Sequence, residues 1–192
     1  MKKVLLIVAV TFMSTLSFAQ DNVVNKGDFI MNIGGGISNG PSGHYNNGYK
    51  GYGFGHSYGV MPSFNVAAEV GMFPTGDVGI VTLGGIVAMG FSGSDNVYYG
   101  NSSYLGVDVM FRGAWHLSKW NNKTWDVYGG IDTGIRFNSF TYDDNDFNAS
   151  DVDFKIGVFV GGRWMMSESF GLFVEVATSE LALAKFGVTL KF

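Results

Sequence analysis

The feature that most constrains this chain is a period-two alternation of apolar and polar residues, which recurs through most of the sequence after residue 27. It is clearest from Tyr104 to Leu117, where Leu105, Val107 and Val109 lead an apolar series and Asp108 belongs to the polar one. Successive side chains of a β-strand point to opposite faces, so this pattern predicts strands with one apolar and one charged face. A helical period is almost absent. The chain is therefore predicted to be all-β.

Eight such strands can be read, each bounded by turn residues such as Gly, Asn, Asp and Ser. We predict them at residues 28–38, 60–72, 78–91, 104–117, 125–138, 152–166, 170–178 and 182–192. Long connections alternate with short ones, except that the last connection, near Glu180, is short. Long loops at one end and short turns at the other are typical of up-and-down outer-membrane barrels. The predicted fold class is an eight-stranded antiparallel up-and-down transmembrane β-barrel.

Residues 1–19 have the pattern of a cleaved signal peptide, which leaves residues 20–192 as the barrel domain. Lys2 and Lys3 precede an apolar run that is too short for a membrane-spanning helix, the alternative interpretation, and small residues precede Gln20. Without the two lysines the chain has 10 basic and 16 acidic residues, because the whole has 12 and 16. This acidic balance argues against a nucleic-acid partner. The chain contains no cysteine, which excludes disulfides and cysteine metal sites.

The charges of the predicted sheet lie on one face, and their number and type indicate whether that face points to the lumen or to the outside of the barrel. A soluble barrel such as a lipocalin would put them outside. Here they are few, balanced and often arginine, so we place them in the lumen: Glu69, Asp108, Arg112, Asp126, Asp132, Arg136, Asp153, Lys155, Arg163, Glu175, Lys185 and Lys191. Unpaired buried charge costs several kcal/mol. We therefore expect Glu175 directly opposite Lys185, Arg112 diagonal to Asp132 and Asp108 diagonal to Arg136, in a filled lumen without a wide channel.

The apolar face carries aromatic residues near both ends of the predicted strands. Two aromatic girdles around an aliphatic band are typical of lipid contact at both membrane interfaces. The girdle at the short-turn end is predicted to contain Phe29, Trp115, Trp125, Trp164, Phe170 and Phe192. The girdle at the long-loop end is predicted to contain Phe64, Phe91, Phe137 and Phe154.

The export signal ending in "FAQ", the eight strands and the motifs "WDVYGGIDTGIRF", "SESFGLFVEV" and "FGVTLKF" resemble those of a known family. It is the family of small eight-stranded outer-membrane β-barrels of the OmpX and OmpA-transmembrane type, close in character to the "porin family" sequences of Bacteroidetes. The resemblance implies a monomer in the bacterial outer membrane that contacts lipid and lipopolysaccharide and needs no cofactor. It also implies a C-terminal signal that the barrel-assembly machinery reads, at Phe186, Val188, Leu190 and Phe192.

Some barrels of this size act on lipid A, and the long connections contain residues of the required types. A histidine that deprotonates a serine, with a carboxylate orienting it, is the minimum for acyl transfer. The candidates are His44, His56, Ser57, Ser94 and Asp95. Loops rich in Gly, Asn and Ser bring such residues together by chance, so we predict no enzyme and keep an acyltransferase or deacylase as an alternative.

The long loops are the remaining candidates for function. The first is rich in aromatic residues suited to recognition of an extracellular ligand or host surface: Tyr45, Tyr49, Tyr52, Phe54 and Tyr58. Asp144, Asp146 and Asn148 have the spacing of a calcium loop, but Ala149 and Lys155 stand where Gly and Glu are needed. We read that segment as a solvated acidic loop and predict no metal. The predicted role is structural or surface interaction, with a small-solute channel as the alternative.

Overall fold

The computed structural model describes residues 22–39, 60–96, 100–120, 123–142, 147–178 and 180–192. Each strand pairs antiparallel with its neighbours in the chain, and β1 pairs with β8, so the sheet closes into a barrel. This confirms the predicted fold class. The strands are β1 Phe29–Asn39, β2 Val60–Pro74, β3 Gly79–Asn96, β4 Gly100–Leu117, β5 Trp125–Tyr142, β6 Phe147–Met165, β7 Phe170–Ala177 and β8 Ala184–Lys191.

Short turns join the strands at one end, which we call the short-turn end. Two of these turns contain 3₁₀ helices, at Gly76–Val78 and Ser118–Trp120, and the third comprises residues 166–169. The opposite end is the long-loop end. Within the described ranges, no helix is long and apolar enough to cross a membrane.

Strands β3 to β6 extend further toward the long-loop end than the sequence predicted. The β3–β4 ladder continues to Asn96 and Gly100, and the β5–β6 ladder to Tyr142 and Phe147. Most of the segments at 92–103 and 139–151 that were predicted as loops are therefore strand. The alternation is lost there because polar residues stand on both faces, which is permitted once a strand has left the lipid.

The wall of the barrel has unequal heights as a result. β6 has 19 residues, whereas β7 and β8 have 8 each. β6 pairs with β7 only from Phe159 to Met165 and continues well beyond the end of β7. The β3–β6 side is therefore tall and the β7–β8–β1 side is short.

The two faces of the sheet have opposite chemistry. Outward side chains are apolar and exposed, with Phe111 78% and Phe154 72% accessible. Inward positions hold charged residues such as Asp126 and Arg163, which are fully buried. A soluble protein has the reverse arrangement, so the outer surface is built to contact lipid.

Glycine allows β1 and β8 to approach closely where the barrel closes. A Cβ atom on Gly34 would lie 2.5 Å from the carbonyl oxygen of Phe186 and 2.8 Å from the ring of Phe173. Its cross-strand partner is a second glycine, Gly187. The ring of Phe173 thus covers a stretch of backbone that has no side chain of its own. Nearby, Phe29 and Phe192 exchange two backbone hydrogen bonds of 2.9 and 3.1 Å.

Candidate functional site: the polar interior of the barrel

Arg112 of β4 lies at the centre of the interior, donates hydrogen bonds to three carboxylates and lies 3.8 Å from a fourth, that of Glu69. Its Nε donates to Asp132 at 2.9 Å, its Nη2 to Glu175 at 2.7 Å, and the same Nη2 to Glu180 at 3.0 Å. The guanidinium carbon lies 3.9 Å from the ring centroid of Phe159. A planar guanidinium with five donors is suited to bind several carboxylates at fixed angles. The residue therefore joins β4, β5, β7 and the β7–β8 connection.

Lys185 of β8 lies beside the same acids. Its ammonium group pairs with both Glu175, its direct cross-strand neighbour, and Glu180. The exposed fraction of each of these side chains is 1% or less. Two cations and three carboxylates thus form one continuous group across the barrel.

A second cluster lies nearer the short-turn end and is built around His116. Its Nδ1 lies 2.9 Å from Asp126 Oδ2, and its Nε2 lies 3.1 Å from Thr82 Oγ1. The Thr82 hydroxyl donates to Glu69 Oε2 at 2.6 Å, so toward His116 its oxygen is an acceptor. Both ring nitrogens therefore donate. The hydrogen-bond geometry assigns His116 as a doubly protonated imidazolium.

Arg163 completes this second cluster. Its Nη1 donates to Asp126 Oδ2 at 2.7 Å, its Nη2 lies 3.9 Å from Glu69 Oε1, and its guanidinium carbon lies 4.5 Å from the ring of Tyr128. The order Thr82–His116–Asp126 resembles a hydroxyl–imidazole–carboxylate relay. All three residues are fully buried, so a substrate cannot reach the hydroxyl.

A third group of pairs lies toward the long-loop end. Arg136 donates to Asp108 through two bonds of 2.6 and 2.9 Å. Asn138 links the hydroxyl of Tyr104, at 2.8 Å, to Asp153, at 3.1 Å. Lys155 pairs with Asp153 at 3.1 Å in a more exposed position.

The β7–β8 connection folds into the long-loop end of the interior. Leu181 packs with Met61, Ala88, Tyr104 and Phe140, and its backbone N–H donates to Asp108 at 2.9 Å. Ala182 is also buried. A segment that the sequence presents as a short surface turn is thus part of the interior packing.

Residues 22–28, the N-terminal segment, cover the opposite mouth. Val23 and Val24 pack with Ile30, Ile80 and Met165. Two backbone hydrogen bonds join the segment to Gly71 of β2. The N–H of Gly27 donates to the carbonyl of Gly71 at 2.8 Å, and the N–H of Gly71 donates to the carbonyl of Asp28 at 2.9 Å. The Asp28 carboxylate pairs with Lys191 at 2.9 Å. A segment of the chain therefore packs into each end of the interior.

Comparison with solved structures finds the same architecture. The outer-membrane protein OprG from Pseudomonas aeruginosa matches with a TM-score of 0.56 at 15% identity, over 90% of this chain and 99% of that one. Ail of Yersinia pestis, in complex with the heparin analogue sucrose octasulfate, matches with a TM-score of 0.50 at 13% identity, over 88% and 100%. The chain has the fold of the eight-stranded outer-membrane β-barrels. No family model and no curated protein sequence matches it.

Within the barrel, the twelve charges predicted for the lumen lie on inward positions, most of them in the three groups described above. The register differs from the sequence prediction in one respect, because Arg112 is directly opposite Asp132 and Asp108 directly opposite Arg136, rather than diagonal. The predicted pairing is centred one residue too early in the turn at residues 118–124, and this moves each directly opposite pair to a diagonal position.

Several residues of the interior were missed by sequence reasoning. Glu180 and Leu181 belong to a short connection, where a carboxylate is normally read as solvated; the apolar run from Leu181 to Leu183 was the available signal. Thr82 donates a hydrogen bond to Glu69, and Tyr128 donates one to Glu175. Both residues are uncharged, so the charge pattern of the sequence does not predict these contacts.

The candidate catalytic residues of the loops are not brought together by the described structure. His44, His56 and Ser57 lie outside the described residues, as do the loop aromatics, Asp144 and Asp146. Ser94 and Asp95 belong to the long-loop end of β3, and Asn148 to β6. The described part of the chain contains no group of three or more metal-ligating His, Asp or Glu side chains.

Replacing Arg112 tests the central group. Arg112→Met leaves three buried carboxylates short of one cation, and we expect the free energy of unfolding to fall by about 3–5 kcal/mol. Urea unfolding of the protein in lipid vesicles measures this change. The matched control is Arg136→Met, which removes the partner of one carboxylate at a site whose side chain is 15% exposed. Equal losses in the two variants would show that Arg112 holds no special position.

The pH dependence of stability tests Glu180, which lies in the β7–β8 connection outside the strands. Burial raises the pKa of Glu180 to about 8, and the ammonium of Lys185 offsets this only in part. Between its ordinary pKa and about 8 the folded protein holds the proton more tightly than the unfolded chain, so unfolding free energy falls as pH rises through that window.

We therefore expect wild type to lose on the order of 1–3 kcal/mol relative to Glu180→Gln between pH ~5 and pH ~9, because the amide has no proton to release. Unfolding titrations of both proteins across this range measure the difference. Glu168→Gln is the control, since Glu168 is exposed on the turn between β6 and β7. Parallel pH profiles for wild type and Glu180→Gln would contradict the assignment.

Proposed function

We propose that this protein is an outer-membrane anchor with a closed interior, which presents a raised sheet outside the cell for interaction with other molecules. The raised sheet comprises residues 91–96, 100–105, 139–142 and 147–153 of β3 to β6. The observation that carries the proposal is the unequal height of the wall, since these four strands continue in register beyond the ends of β7 and β8.

The raised sheet has a backbone edge suited to recognition. Within the described residues, β6 from Phe147 to Gly157 has a strand partner only on its β5 side. The lipid-facing band of such a barrel is about 25 Å tall. A strand rises ~3.3 Å per residue along its own axis, and somewhat less along the membrane normal because it is tilted. A band that begins at Trp164 therefore ends near Phe154, ten residues away on β6. The edge from Phe147 to Asp153 then lies outside the lipid. An exposed strand edge can pair with an extended segment of another protein.

The closed interior supports an anchor rather than a small-solute channel. The Arg112 and His116 clusters cross the interior at two levels, and both mouths are filled by segments of the chain. An eight-stranded barrel is only wide enough for its own side chains. The proposal assigns no catalytic role, since the relay-like contact of Thr82 and His116 is enclosed. It includes a monomeric state and the reading of Phe186, Val188, Leu190 and Phe192 by the assembly machinery.

Cysteine labelling on intact cells tests the presentation of the raised sheet. The chain has no cysteine, so single variants give an unambiguous signal. A membrane-impermeant maleimide should label Ser150→Cys, on the raised sheet, in intact cells. It should label Lys26→Cys, on the N-terminal segment, only after the outer membrane is permeabilised. The reverse pattern would invert the orientation and refute the proposal.

Planar-bilayer recording tests the closed interior. Wild-type protein should give no steady conductance, because ion-paired side chains and the two covering segments leave no continuous water path. An open porin recorded in the same bilayer is the positive control. A steady single-channel conductance that disappears when the protein is denatured, and that detergent without protein does not give, would support the small-solute channel instead.

A further inference from the structure

All four tryptophans of the chain lie on one sector of the short-turn end. They are Trp115 on β4, Trp120 in the following turn, Trp125 on β5 and Trp164 on β6. Each is 42–55% exposed on the outer surface, and the rings of Trp125 and Trp164 stack with centroids 5.9 Å apart. The opposite sector carries Phe29, Phe170 and Phe192 but no indole. The rim is therefore chemically asymmetric.

The charge of the short turns has the same asymmetry. Lys119 and Lys123 are the only charged residues between Leu117 and Trp125, and both are exposed. The other two short turns each carry an acid, Asp77 and Glu168. The basic turn is thus the one that carries a tryptophan and lies between the tryptophan-bearing strands.

A shallow groove joins these features on the outer surface. It has a volume of about 520 Å³ and is lined by Lys119, Trp120, Trp125 and Val127. The groove is open to the outer surface along its length. Lys119 lines the groove from the basic turn, and Val127 lines it from the lipid-facing surface of β5. The groove thus runs from a basic, amphipathic rim into the apolar band.

We propose that this groove binds an anionic glycerophospholipid of the leaflet at the short-turn end. Lys119 and Lys123 attract the phosphate and the extra headgroup charge, since basic residues at a membrane surface favour anionic lipids. Trp120 and Trp125 line the groove at the rim of the barrel, and tryptophan is enriched at the membrane interface. An acyl chain continues along Val127. A soluble protein partner fits less well, because the apolar wall faces lipid.

Tryptophan fluorescence is a selective probe, because every tryptophan of the chain belongs to this sector. The full-length protein is folded into vesicles of phosphatidylethanolamine and phosphatidylglycerol at one fixed ratio. In one set the phosphatidylglycerol carries dibrominated acyl chains, and in the other set an equal amount of phosphatidylethanolamine does. Surface potential is identical in the two sets, so the quenching difference reports which lipid occupies the site.

Wild type should be quenched more strongly by the brominated phosphatidylglycerol. Lys119→Gln with Lys123→Gln should lower the relative association constant at least about fivefold. Lys26→Gln, an exposed lysine at the same end but on the N-terminal segment, is the matched control and should leave the preference unchanged. Equal quenching by both lipids in wild type would overturn the proposal, and so would a preference that survives the double substitution or is lost equally with Lys26→Gln.

This site rests on the position of the barrel in the membrane and not on the raised sheet. Its test is therefore independent of the labelling experiment, in which Ser150 reports on the opposite end of the barrel. A barrel that presents no surface for interaction can still bind phospholipid at the basic turn. A barrel that binds no phospholipid there can still present the raised sheet.

Discussion

The interaction on which the rest of the structure depends is the contact of the buried Arg112 side chain with Asp132, Glu175 and Glu180. Each carboxylate comes from a different part of the chain, so the guanidinium fixes β5, β7 and the β7–β8 connection relative to β4. Buried charges are retained only when they are paired and hydrogen-bonded. The barrel can therefore close correctly only in the register that brings these groups together.

The outer surface follows from a different constraint, which acts on every strand alike. Lipid offers no hydrogen bonds, so the sheet must close on itself and turn apolar side chains outward. That constraint imposes strict alternation, which is why the eight strands and the face of each charged residue could be predicted from the sequence. It no longer acts beyond the membrane. The extensions of β3 to β6, with Ser92 and Ser150 among their polar residues, were therefore read as loops.

The contacts inside the barrel were less predictable than its faces. Alternation shows that Asp108 and Arg136 point inward, but which residues lie directly opposite each other depends on the centre of the turn, which alternation does not give. Glu180 could not be found by alternation at all, since it precedes β8 rather than belonging to it. Trp120 was not predicted as part of the aromatic girdle for the same reason, because it lies in a turn, where side chains do not alternate between two faces. The residues that fill or mark the ends of the barrel are those that periodicity does not govern.

Charge balance connects the Glu180 and His116 assignments. The pairs Asp28–Lys191 and Asp153–Lys155 each cancel. The remaining interior charges are six acids, Glu69, Asp108, Asp126, Asp132, Glu175 and Glu180, against four Lys or Arg cations, Arg112, Arg136, Arg163 and Lys185. The imidazolium of His116 supplies a fifth cation. The raised pKa of Glu180 keeps this carboxyl protonated near neutral pH, which reduces the carboxylates to five. The interior is then neutral, which a low-dielectric space enclosed by lipid favours over any net charge. The protonation of His116, assigned from hydrogen-bond geometry, and that of Glu180, which follows from its raised pKa, thus satisfy one electrostatic requirement.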